Sequence, residues 1–415
     1  MLVAISGPNP ILSRNTVRIY TSMRIAGLFA GVGGFELGMH QSGHSTELLC
    51  DVLPAAKAVL AARFPGVEYH EDITRLRSLP ASVDMICAGF PCQDLSQAGR
   101  TAGLDGARSG LIGDVFRLLE HRRVPTVVVE NVPFMLQLNG GAAMRAIVDE
   151  FERLGYRWAY RVVDTFGFGL PQRRERVFLV ASRELDPSAV LLVDDRPLER
   201  PGSALGRLAH GFYWTEGLGG LGWAVDSVPT LKNGSTIGIP SPPAVLLPSG
   251  EVIKPGLRDV ERLQGFDADW THPSESVVRK SARWGLLGSA VSVPVARWIG
   301  ERLAAPGSFE CVRDVQFPTQ GKAPRAARFD GRQRHAVRIS ADPLGIRPPP
   351  LAEFLTDHAG QAPLSLRATV GFLSRTRRAK LRFEPGFIEA IEQHAERMGG
   401  SLEKSPPVQL ELVAA

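Results

Sequence analysis

Short apolar runs alternate with longer amphipathic stretches from Arg24 to Ser182, and this alternation restricts the fold more than any other feature of the sequence. The first run, Arg24–Phe29, predicts a strand, which is followed by a Gly-rich turn and a helix reaching about Gly43. Strands that alternate with helices favour an α/β fold with a parallel, doubly wound sheet, whose ligands bind at the carboxyl ends of the strands. The other predicted strands are Glu47–Cys50, Val67–His70, Val83–Ala88, Thr126–Glu130, Arg161–Asp164 and Arg176–Ala181, and the other predicted helices are Pro54–Phe64, Gly110–His121 and Ala142–Leu154.

The alternation stops after Ser182. Residues 183–257 are rich in Gly and Pro, which predicts an inserted loop-rich or β-rich module. Helical patterns return over Leu257–Gly265, Leu286–Leu303 and Phe387–Met398. The Pro-, Gly- and Arg-rich stretch 306–350 resembles a linker or a partly disordered arm. The predicted division is a flexible N-terminal extension (1–23), a first body in two parts (24–182 and 258–305), an inserted module (183–257) and a basic C-terminal extension (306–415).

Composition and charge exclude several classes of protein. No apolar run approaches the roughly 20 residues needed to cross a bilayer, so we expect no membrane span. The four cysteines form no CxxC pair, which favours a reducing compartment, and the histidines form no HxxxH or HExxH, so no metal site is expected. The formal net charge of +5 mildly favours a polyanionic partner. Most of the excess lies in 306–415, which holds 16 basic and 12 acidic residues.

A first candidate site follows the first strand, in the Gly-rich turn Gly27–Gly34. Glycines there allow a tight turn and a close approach of the backbone to a ligand. Asp51 ends the second strand, where its carboxylate can accept hydrogen bonds from ribose hydroxyls, and Asp72-Ile73 ends the third, where these residues can contact an adenine ring. The pattern predicts a nucleoside site. A dinucleotide site is less favoured because the spacing is GxGG rather than GxGxxG, and a plain tight connection is the alternative.

A second candidate site follows the fourth strand. Cys92 lies in the loop Gly89–Gly99, between Pro91 and Gln93, which suits a nucleophile, whereas Cys87 lies inside the strand and is expected to be inert. The fifth strand brings Glu130 to the same edge of the sheet. A thiol and a carboxyl group beside a nucleoside site suit a reaction in which Cys adds to an electron-poor ring while an acid supports a ring nitrogen.

Several ordered motifs carry a resemblance to a known family. The motifs are Phe29-Ala30-Gly31-Val32-Gly33-Gly34, Pro91-Cys92-Gln93, Glu130-Asn131-Val132, Gln172-Arg173-Arg174-Glu175-Arg176-Val177, Arg262-Leu263-Gln264-Gly265-Phe266 and Gly288-Ser289-Ala290-Val291. In this order the chain resembles the DNA cytosine-5 methyltransferases over about 24–182 and 257–303. The resemblance implies the doubly wound sheet of S-adenosylmethionine-dependent methyltransferases, divided into the catalytic body and a small inserted target-recognition domain.

The resemblance also implies a mechanism and its residues. The Cys92 thiolate would attack C6 of a cytosine, Glu130 would share a proton with N3, and Arg176 would bind O2. Arg174 would assist the pocket or a DNA phosphate. The activated C5 would then take the methyl group of S-adenosyl-L-methionine, and the base must be flipped out of the duplex because C6 is unreachable in the stack.

Cofactor contacts are implied in the same way. Those carried over by the resemblance are Phe29, Gly31 and Gly33 in the turn, Asp51 for the ribose, Asp72 and Ile73 for the adenine, and Leu111 and Ser289 as further lining residues. This sequence departs from the family at two positions. Gly27 stands where many members have Asp, and Ser289 replaces the usual Asn near the methionine end of the cofactor.

The implied partner is double-stranded DNA, bound by a monomer in a bacterial-type cytoplasm, at the nucleoid. Lys232, in the inserted domain, is a candidate for base contact, and the enzyme would be either an orphan or the partner of a restriction endonuclease. In the C-terminal extension, the basic runs Lys322–Arg338 and Arg375–Arg382 predict contacts to DNA phosphates, the alternative being a solvated or partner-docking arm. Two other functions are compatible with a chain of this kind but are less favoured. An RNA cytosine-5 methyltransferase is disfavoured by the lack of a Cys-Phe-Thr signature, and a catalytically silent DNA-binding regulator by the presence of Cys92, Glu130 and Arg176.

Overall fold

The structure is a computed structural model that describes residues 22–90, 110–235, 237–239 and 241–400. Its strands are β1 Arg24–Leu28, β2 Ser45–Cys50, β3 Glu68–His70, β4 Met85–Ala88, β5 Thr126–Asn131, β6 Arg157–Asp164, β7 Gln172–Arg173, β8 Glu175–Ser182, β9 His210–Phe212, β10 Ala224–Val225, β11 Val228–Pro229, β12 Ala244–Leu246, β13 Val252–Lys254, β14 Asp314–Gln316, β15 Ala326–Phe329, β16 Arg334–Val337 and β17 Ala362–Pro363. Its α-helices are α1 Gly34–Gln41, α2 Pro54–Arg63, α3 Leu111–His121, α4 Ala142–Arg153, α5 Ser188–Leu191, α6 Leu257–Leu263, α7 Arg283–Ser289, α8 Val293–Ala304, α9 Leu351–Phe354, α10 Leu366–Thr376 and α11 Phe387–Arg397.

The main sheet has the strand order β14-β16-β15-β6-β8-β5-β4-β1-β2-β3. The five strands from β3 to β5 are parallel, as expected. β8, however, lies antiparallel between β5 and β6. The expectation of an all-parallel sheet was therefore wrong at this side, because the short connection between β6 and β8 forms a hairpin and leaves no room for a crossover helix.

Helices cover both faces of the main sheet, so the fold is doubly wound α/β. On α3, Ile112, Val115, Phe116 and Leu119 are buried, which is the i, i+3, i+4, i+7 pattern of an amphipathic helix. They join α4 in the core on one face. On the opposite face α1 and α8 pack together over the sheet. This arrangement leaves the carboxyl ends of the parallel strands open for ligands.

A second, antiparallel sheet has the order β10-β9-β12-β13-β17. Its first four strands come from the stretch predicted to be β-rich, and Trp214 is buried in its core. Its fifth strand, β17, comes from the C-terminal region and pairs with β13. Helices α10 and α11 complete the same core through Phe372 and Phe387. We call residues 205–254 and 362–397 together the second module.

Residues 306–350 are not a linker, contrary to the expectation from their composition. Strands β14, β15 and β16 extend the main sheet, with β15 antiparallel to β6. Phe329 of β15 stacks on Trp158 of β6 with ring centroids 6.3 Å apart. This long-range strand pairing and apolar contact order a stretch whose composition alone is typical of a loop.

The single helix expected over Leu286–Leu303 is two helices, α7 and α8. Ala290 and Ser292 between them have extended backbone, with ψ of 145° and 119°. Pro294 lies in the first turn of α8, where its missing N–H costs nothing. The break delivers the carbonyl groups of Gly288 and Ala290 to the site described below.

Within the described ranges, no helix is both long and apolar enough to span a bilayer. Across those same ranges, no group of three or more His, Cys, Asp or Glu side chains could hold a metal ion.

Candidate active site

The Gly-rich turn after β1 has a left-handed backbone where the sequence has glycine. Gly31 and Gly33 have φ of 56° and 84°, and Phe29 also has φ of 56°. A Cβ on Gly33 would lie 2.4 Å from the ring of Phe64, so no larger residue fits. A Cβ on Gly31 would meet no atom within 4 Å, so the backbone there faces open space. The turn therefore leaves room for a ligand to approach the main chain.

Asp51, directly after β2, is fixed against this turn. Its carboxylate accepts hydrogen bonds from the N–H groups of Gly31 at 2.8 Å and Leu53 at 2.9 Å. Burial raises the pKa of Asp51, and these two N–H groups oppose that rise. Tyr69 donates its hydroxyl proton to the Asp51 carbonyl oxygen. The predicted pairing of the turn with an acid at the end of the second strand is therefore present.

Asp72 and Ile73 lie where the third strand ends. Asp72 accepts hydrogen bonds from the N–H and the hydroxyl of Thr74 at 2.9 and 2.7 Å, which lower the pKa of its carboxyl group. Ile73 is buried at the start of a 3₁₀ turn. Leu111 begins α3 and packs, half-buried, on the same core as Ile73. The proposed adenine contacts thus lie on one face of the main sheet.

The unusual Gly27 has a physical explanation in the buried Glu36 of α1. A Cβ on Gly27 would lie 2.0 Å from Oε1 of Glu36, so an Asp at position 27 would displace the Glu36 carboxyl group. Neither Glu36 oxygen has a hydrogen-bond partner among the described residues, and burial raises the pKa of Glu36 to about 8. Sequence reasoning missed Glu36, because a Glu in the first turn of a helix is ordinarily a surface residue.

Glu130 and Arg176 form an ion pair at the candidate site. Glu130 lies near the end of β5 and Arg176 near the start of β8, and their Oε1 and Nε atoms are 2.9 Å apart. Both side chains are almost wholly enclosed, with exposed fractions of 10% and 13%. Burial raises the pKa of Glu130, while the charges of Arg176 and Arg174 oppose that rise. The pair can therefore hold or pass a proton within an enclosed pocket.

Cys92 lies outside the described residues, but the entry to its loop is fixed. Asn131 donates a hydrogen bond from Nδ2 to the carbonyl oxygen of Phe90 at 3.0 Å. Its Oδ1 accepts the N–H of Val132 at 2.8 Å. Asn131 belongs to the motif Glu130-Asn131-Val132, but the sequence alone predicts no role for it. The structure shows that this side chain ties the end of β5 to the residue two positions before Cys92.

Arg174 has a different place from the one expected. Its side chain is 1% exposed, so it cannot reach a DNA phosphate, and that part of the expectation was wrong. The guanidinium donates to the carbonyl oxygens of Leu231 at 3.1 Å, Gly288 at 3.3 Å and Ala290 at 2.7 Å. Arg174, which directly precedes β8, is therefore hydrogen-bonded both to the second module and to the end of α7.

Two glutamines reinforce this junction. Gln172 donates to the Leu263 carbonyl at 2.7 Å and accepts the Leu231 N–H at 3.2 Å. Gln264 donates to the Leu287 carbonyl at 2.7 Å. Both residues belong to the motifs named above, and their amides hydrogen-bond to buried backbone groups. No feature of the sequence distinguishes such a buried amide from one at the surface.

Ser289 and Lys232 both lie beside the junction. Ser289 is exposed at the end of α7, next to Gly288, where a Cβ would lie 2.1 Å from the Lys232 carbonyl carbon. The Lys232 ammonium lies 3.8 Å from the Tyr213 ring centroid and 3.2 Å from a Glu216 carboxylate oxygen. Lys232 is therefore held at the surface of the second module, beside Gly288 at the end of α7.

Comparison with known proteins agrees with this geometry. Residues 23–200 match the family described as C-5 cytosine-specific DNA methylase. The chain is 45% identical over 390 residues to the Type II methyltransferase M2.BsuMI of Bacillus subtilis (strain 168), which covers 90% of this chain and 99% of that protein. It is 30% identical to the Type II methyltransferase M.NgoBI of Neisseria gonorrhoeae over 65% of this chain and 89% of that protein.

These matches, to a protein family and to a relative over almost its whole length, define the molecule as a methyltransferase. The chain belongs to the C-5 cytosine-specific DNA methylases. It is a DNA (cytosine-5-)-methyltransferase.

Proposed function

We propose that this enzyme uses S-adenosyl-L-methionine to methylate C5 of a flipped cytosine within a specific duplex DNA sequence, as the modifying half of a type II restriction–modification system. The enclosed Glu130–Arg176 pair, beside the loop that carries Cys92, is the observation that carries this proposal. The long match to a Bacillus subtilis protein named as a Type II methyltransferase supports the restriction–modification context.

The turn at β1 fits the proposed cofactor. Open space beside Gly31 and the fixed carboxylate of Asp51 suit a ribose, while Asp72 and Ile73 suit an adenine amine and ring. Phe29, Gly33, Leu111 and Ser289 would line the remainder. When bound, the cofactor supplies an electrophilic methyl group on a sulfonium, so no metal is needed. The protein's task is then to orient that group and to activate cytosine.

Cytosine activation falls to three side chains. The Cys92 thiolate adds to C6, forming a sulfur–carbon bond and breaking the ring's aromaticity, while Glu130 supplies a proton to N3. Arg176 binds O2 and keeps the Glu130 carboxyl group in place through the 2.9 Å ion pair. C5 thereby becomes nucleophilic and accepts the methyl group. Loss of the C5 proton then expels Cys92 and restores the aromatic ring.

The raised pKa of Glu130 suits this role. A carboxyl group whose pKa is raised by burial holds a proton more readily than a solvated one and can share that proton with N3. Arg174 acts as a positioning residue, because its hydrogen bonds to Leu231, Gly288 and Ala290 hold the second module beside the pocket.

The decisive experiment compares Cys92→Ala with Cys311→Ala in methyl transfer to duplex DNA. Cys311 is exposed and lies in the short turn directly before β14, an edge strand of the main sheet, so its variant is the matched control and should retain activity. The wild-type enzyme should be trapped covalently on DNA containing 5-fluorocytosine, since fluorine cannot leave C5 as a proton does. Cys92→Ala should lose both methyl transfer and this trapping, because it lacks the thiol that bonds to C6. Bisulfite sequencing of DNA from expressing cells would then read the target site. Persistent transfer by Cys92→Ala would refute the mechanism.

A further inference from the structure

The second module contains a basic segment that the proposed function does not yet use. The segment begins in the last turn of α10, continues past its end, and comprises Arg375, Arg377, Arg378, Lys380 and Arg382. Helix α10 belongs to the core of the module, because Phe372 packs on Phe212 with ring centroids 5.1 Å apart. The segment is thus a fixed part of the module and not a detached tail.

Arg375 attaches the segment to the loop after β9. Its guanidinium donates to the carbonyl oxygens of Trp214 at 2.7 Å and Glu216 at 2.8 Å. A Cβ on Gly217 would lie 3.4 Å from Arg375, which shows how closely the loop and α10 pack. The Arg375 guanidinium is therefore used in hydrogen bonds within the protein. The basic residues that follow it start from a point fixed against this loop.

The same loop connects the segment to the catalytic pair. Glu216 pairs with Lys232, whose ammonium lies over the Tyr213 ring. The Tyr213 hydroxyl donates to the Thr230 carbonyl at 2.7 Å, and the Thr230 hydroxyl donates to the Arg173 carbonyl at 2.9 Å. Arg173 precedes Arg174 and Arg176 on the strands that form the pocket. An unbroken series of contacts thus leads from the pocket to the basic segment.

Three cations of the segment have no acidic partner in the part of the chain that the structure describes. Arg377 pairs with Glu392 at 3.0 Å. Arg378, Lys380 and Arg382 are exposed, and none of them forms an ion pair with any residue that the structure describes. Within the described ranges, the Arg378 guanidinium donates to the Ser374 carbonyl, one turn back along α10, and to no carboxylate. Exposed, unpaired cations at fixed positions suit the phosphates of a nucleic acid.

We propose that Arg378, Lys380 and Arg382 bind the phosphate backbone of duplex DNA beside the target cytosine, so that α10 and the segment after it belong to the DNA-binding face. This inference rests on the proposed function, which places duplex DNA at the pocket. Contacts of this kind position the duplex without reading its sequence, and their strength depends on salt concentration.

The test measures DNA affinity of the full chain as a function of salt for a triple variant, Arg378→Ala with Lys380→Ala and Arg382→Ala. Removing three phosphate contacts should lower the slope of log affinity against log salt by about 2 to 3, equally for target and non-target duplexes. The single variants Lys380→Ala and Arg382→Ala should each lower the slope by about 1. If the triple variant is too unstable for binding measurements, the single variants still measure the change in slope.

A matched control removes the same charge from the opposite edge of the main sheet. Arg123, Arg183 and Arg332 are exposed, lie near the amino ends of the parallel strands and pair with no acid among the described residues. Their triple Ala variant should leave the slope unchanged. Replacing Arg378 and Arg382 with Lys and Lys380 with Arg should keep the wild-type slope.

An unchanged slope in the first triple variant, or an equal fall in the control, would overturn the inference. Methyl transfer by the wild-type chain tests the proposed function separately, so either can fail without the other.

Discussion

The two basic runs of the C-terminal region belong to different parts of the fold and differ in how their cations are paired. In Lys322–Arg338, Arg325, Arg328 and Arg334 lie within 2.6 Å of carboxylates of Glu175, Asp314 and Glu152. In Arg375–Arg382, by contrast, an ion pair joins Arg377 to Glu392, while Arg378, Lys380 and Arg382 face solvent. Among the described residues, each run therefore has both paired and unpaired cations. Three cations of the first run are neutralised by carboxylates at the edge of the main sheet, whereas its others, Lys322, Arg332 and Arg338, form no ion pair there. The unpaired cations of the second run stand close together in the sequence, on the second module.

The two runs differ in their surroundings because each half of the C-terminal region belongs to a different part of the fold. Strands β14 to β16 extend the catalytic sheet, whereas β17, α10 and α11 complete the second module. Deleting 306–415 would therefore remove parts of both bodies at once and could not measure phosphate binding. Substitutions confined to one half are needed to test the comparison.

The largest effect is expected from Ala327→Asp in β15. Ala327 is fully buried between Tyr160 of β6 and Ala336 of β16, so the variant would place an unpaired carboxylate in the core. We expect a loss of roughly 4 kcal/mol or more in the free energy of unfolding, with loss of both cofactor and DNA binding. Thermal melting and binding assays check this. Ala352→Asp, at an exposed position, is the control, and an unperturbed melt for Ala327→Asp would show that β15 is dispensable.

A smaller and more local effect is expected from Phe387→Ala in α11. The Phe387 ring packs on Trp223 and Phe212 with centroids 4.7 and 5.2 Å away. Its removal should cost about 3 to 5 kcal/mol of stability within the second module, so DNA binding should fail while cofactor binding persists. Calorimetric titration with each ligand separates the two outcomes. Met398→Ala, just after the same helix, should leave both intact; loss of cofactor binding in Phe387→Ala would contradict the division.

The sequence was most informative where structure is local. The Gly-rich turn, the Pro that opens α2 and the positions of Asp51 and Glu130 at strand ends follow from signals within a few residues. The same local signals located α11 within a residue at its end. These features could be predicted because steric limits and hydrophobic periodicity act over short stretches of chain.

The sequence was least informative where distant segments meet. Nothing in Ala326–Phe329 indicates that it pairs with β6, because that pairing depends on residues more than 160 positions away. The burial of Arg174 among backbone carbonyls and the occupation of the space beside Gly27 by Glu36 are likewise consequences of tertiary packing. Composition suggested a linker for 306–350 because it records residue types and not their partners.

A third prediction contrasts two ion pairs within the first basic run. Arg328 pairs with Asp314 at 2.6 Å with both side chains largely buried, at 7% and 13% exposure. Arg328→Ala would leave the Asp314 carboxylate enclosed without its partner, so we expect a loss of about 2 kcal/mol. Arg325→Ala removes a pair that is 57% and 39% exposed and should cost at most about 1 kcal/mol. Urea denaturation of the two variants measures the difference, and equal costs would show that burial does not distinguish these pairs.

The smallest effect concerns Asp330, in the turn between β15 and β16. Its carboxylate accepts hydrogen bonds from the N–H groups of Arg332 and Gln333 at 2.8 Å and contacts His335 at 3.0 Å. Although its partial burial raises the pKa, these hydrogen bonds outweigh it and bring the pKa of Asp330 down from 3.8 to about 2.

A carboxyl group whose pKa is lowered by folding stabilises the folded state above its unfolded pKa, and this stability is lost as pH falls towards the folded value. Asp330→Asn should therefore cost a few tenths of a kcal/mol after solvent screening, at pH values above the unfolded pKa. The difference should shrink below about pH 4, which urea denaturation at several pH values would show. A difference that grew on acidification would mean that the carboxylate is not stabilising, and the turn of the first basic run would then owe nothing to its one acidic residue.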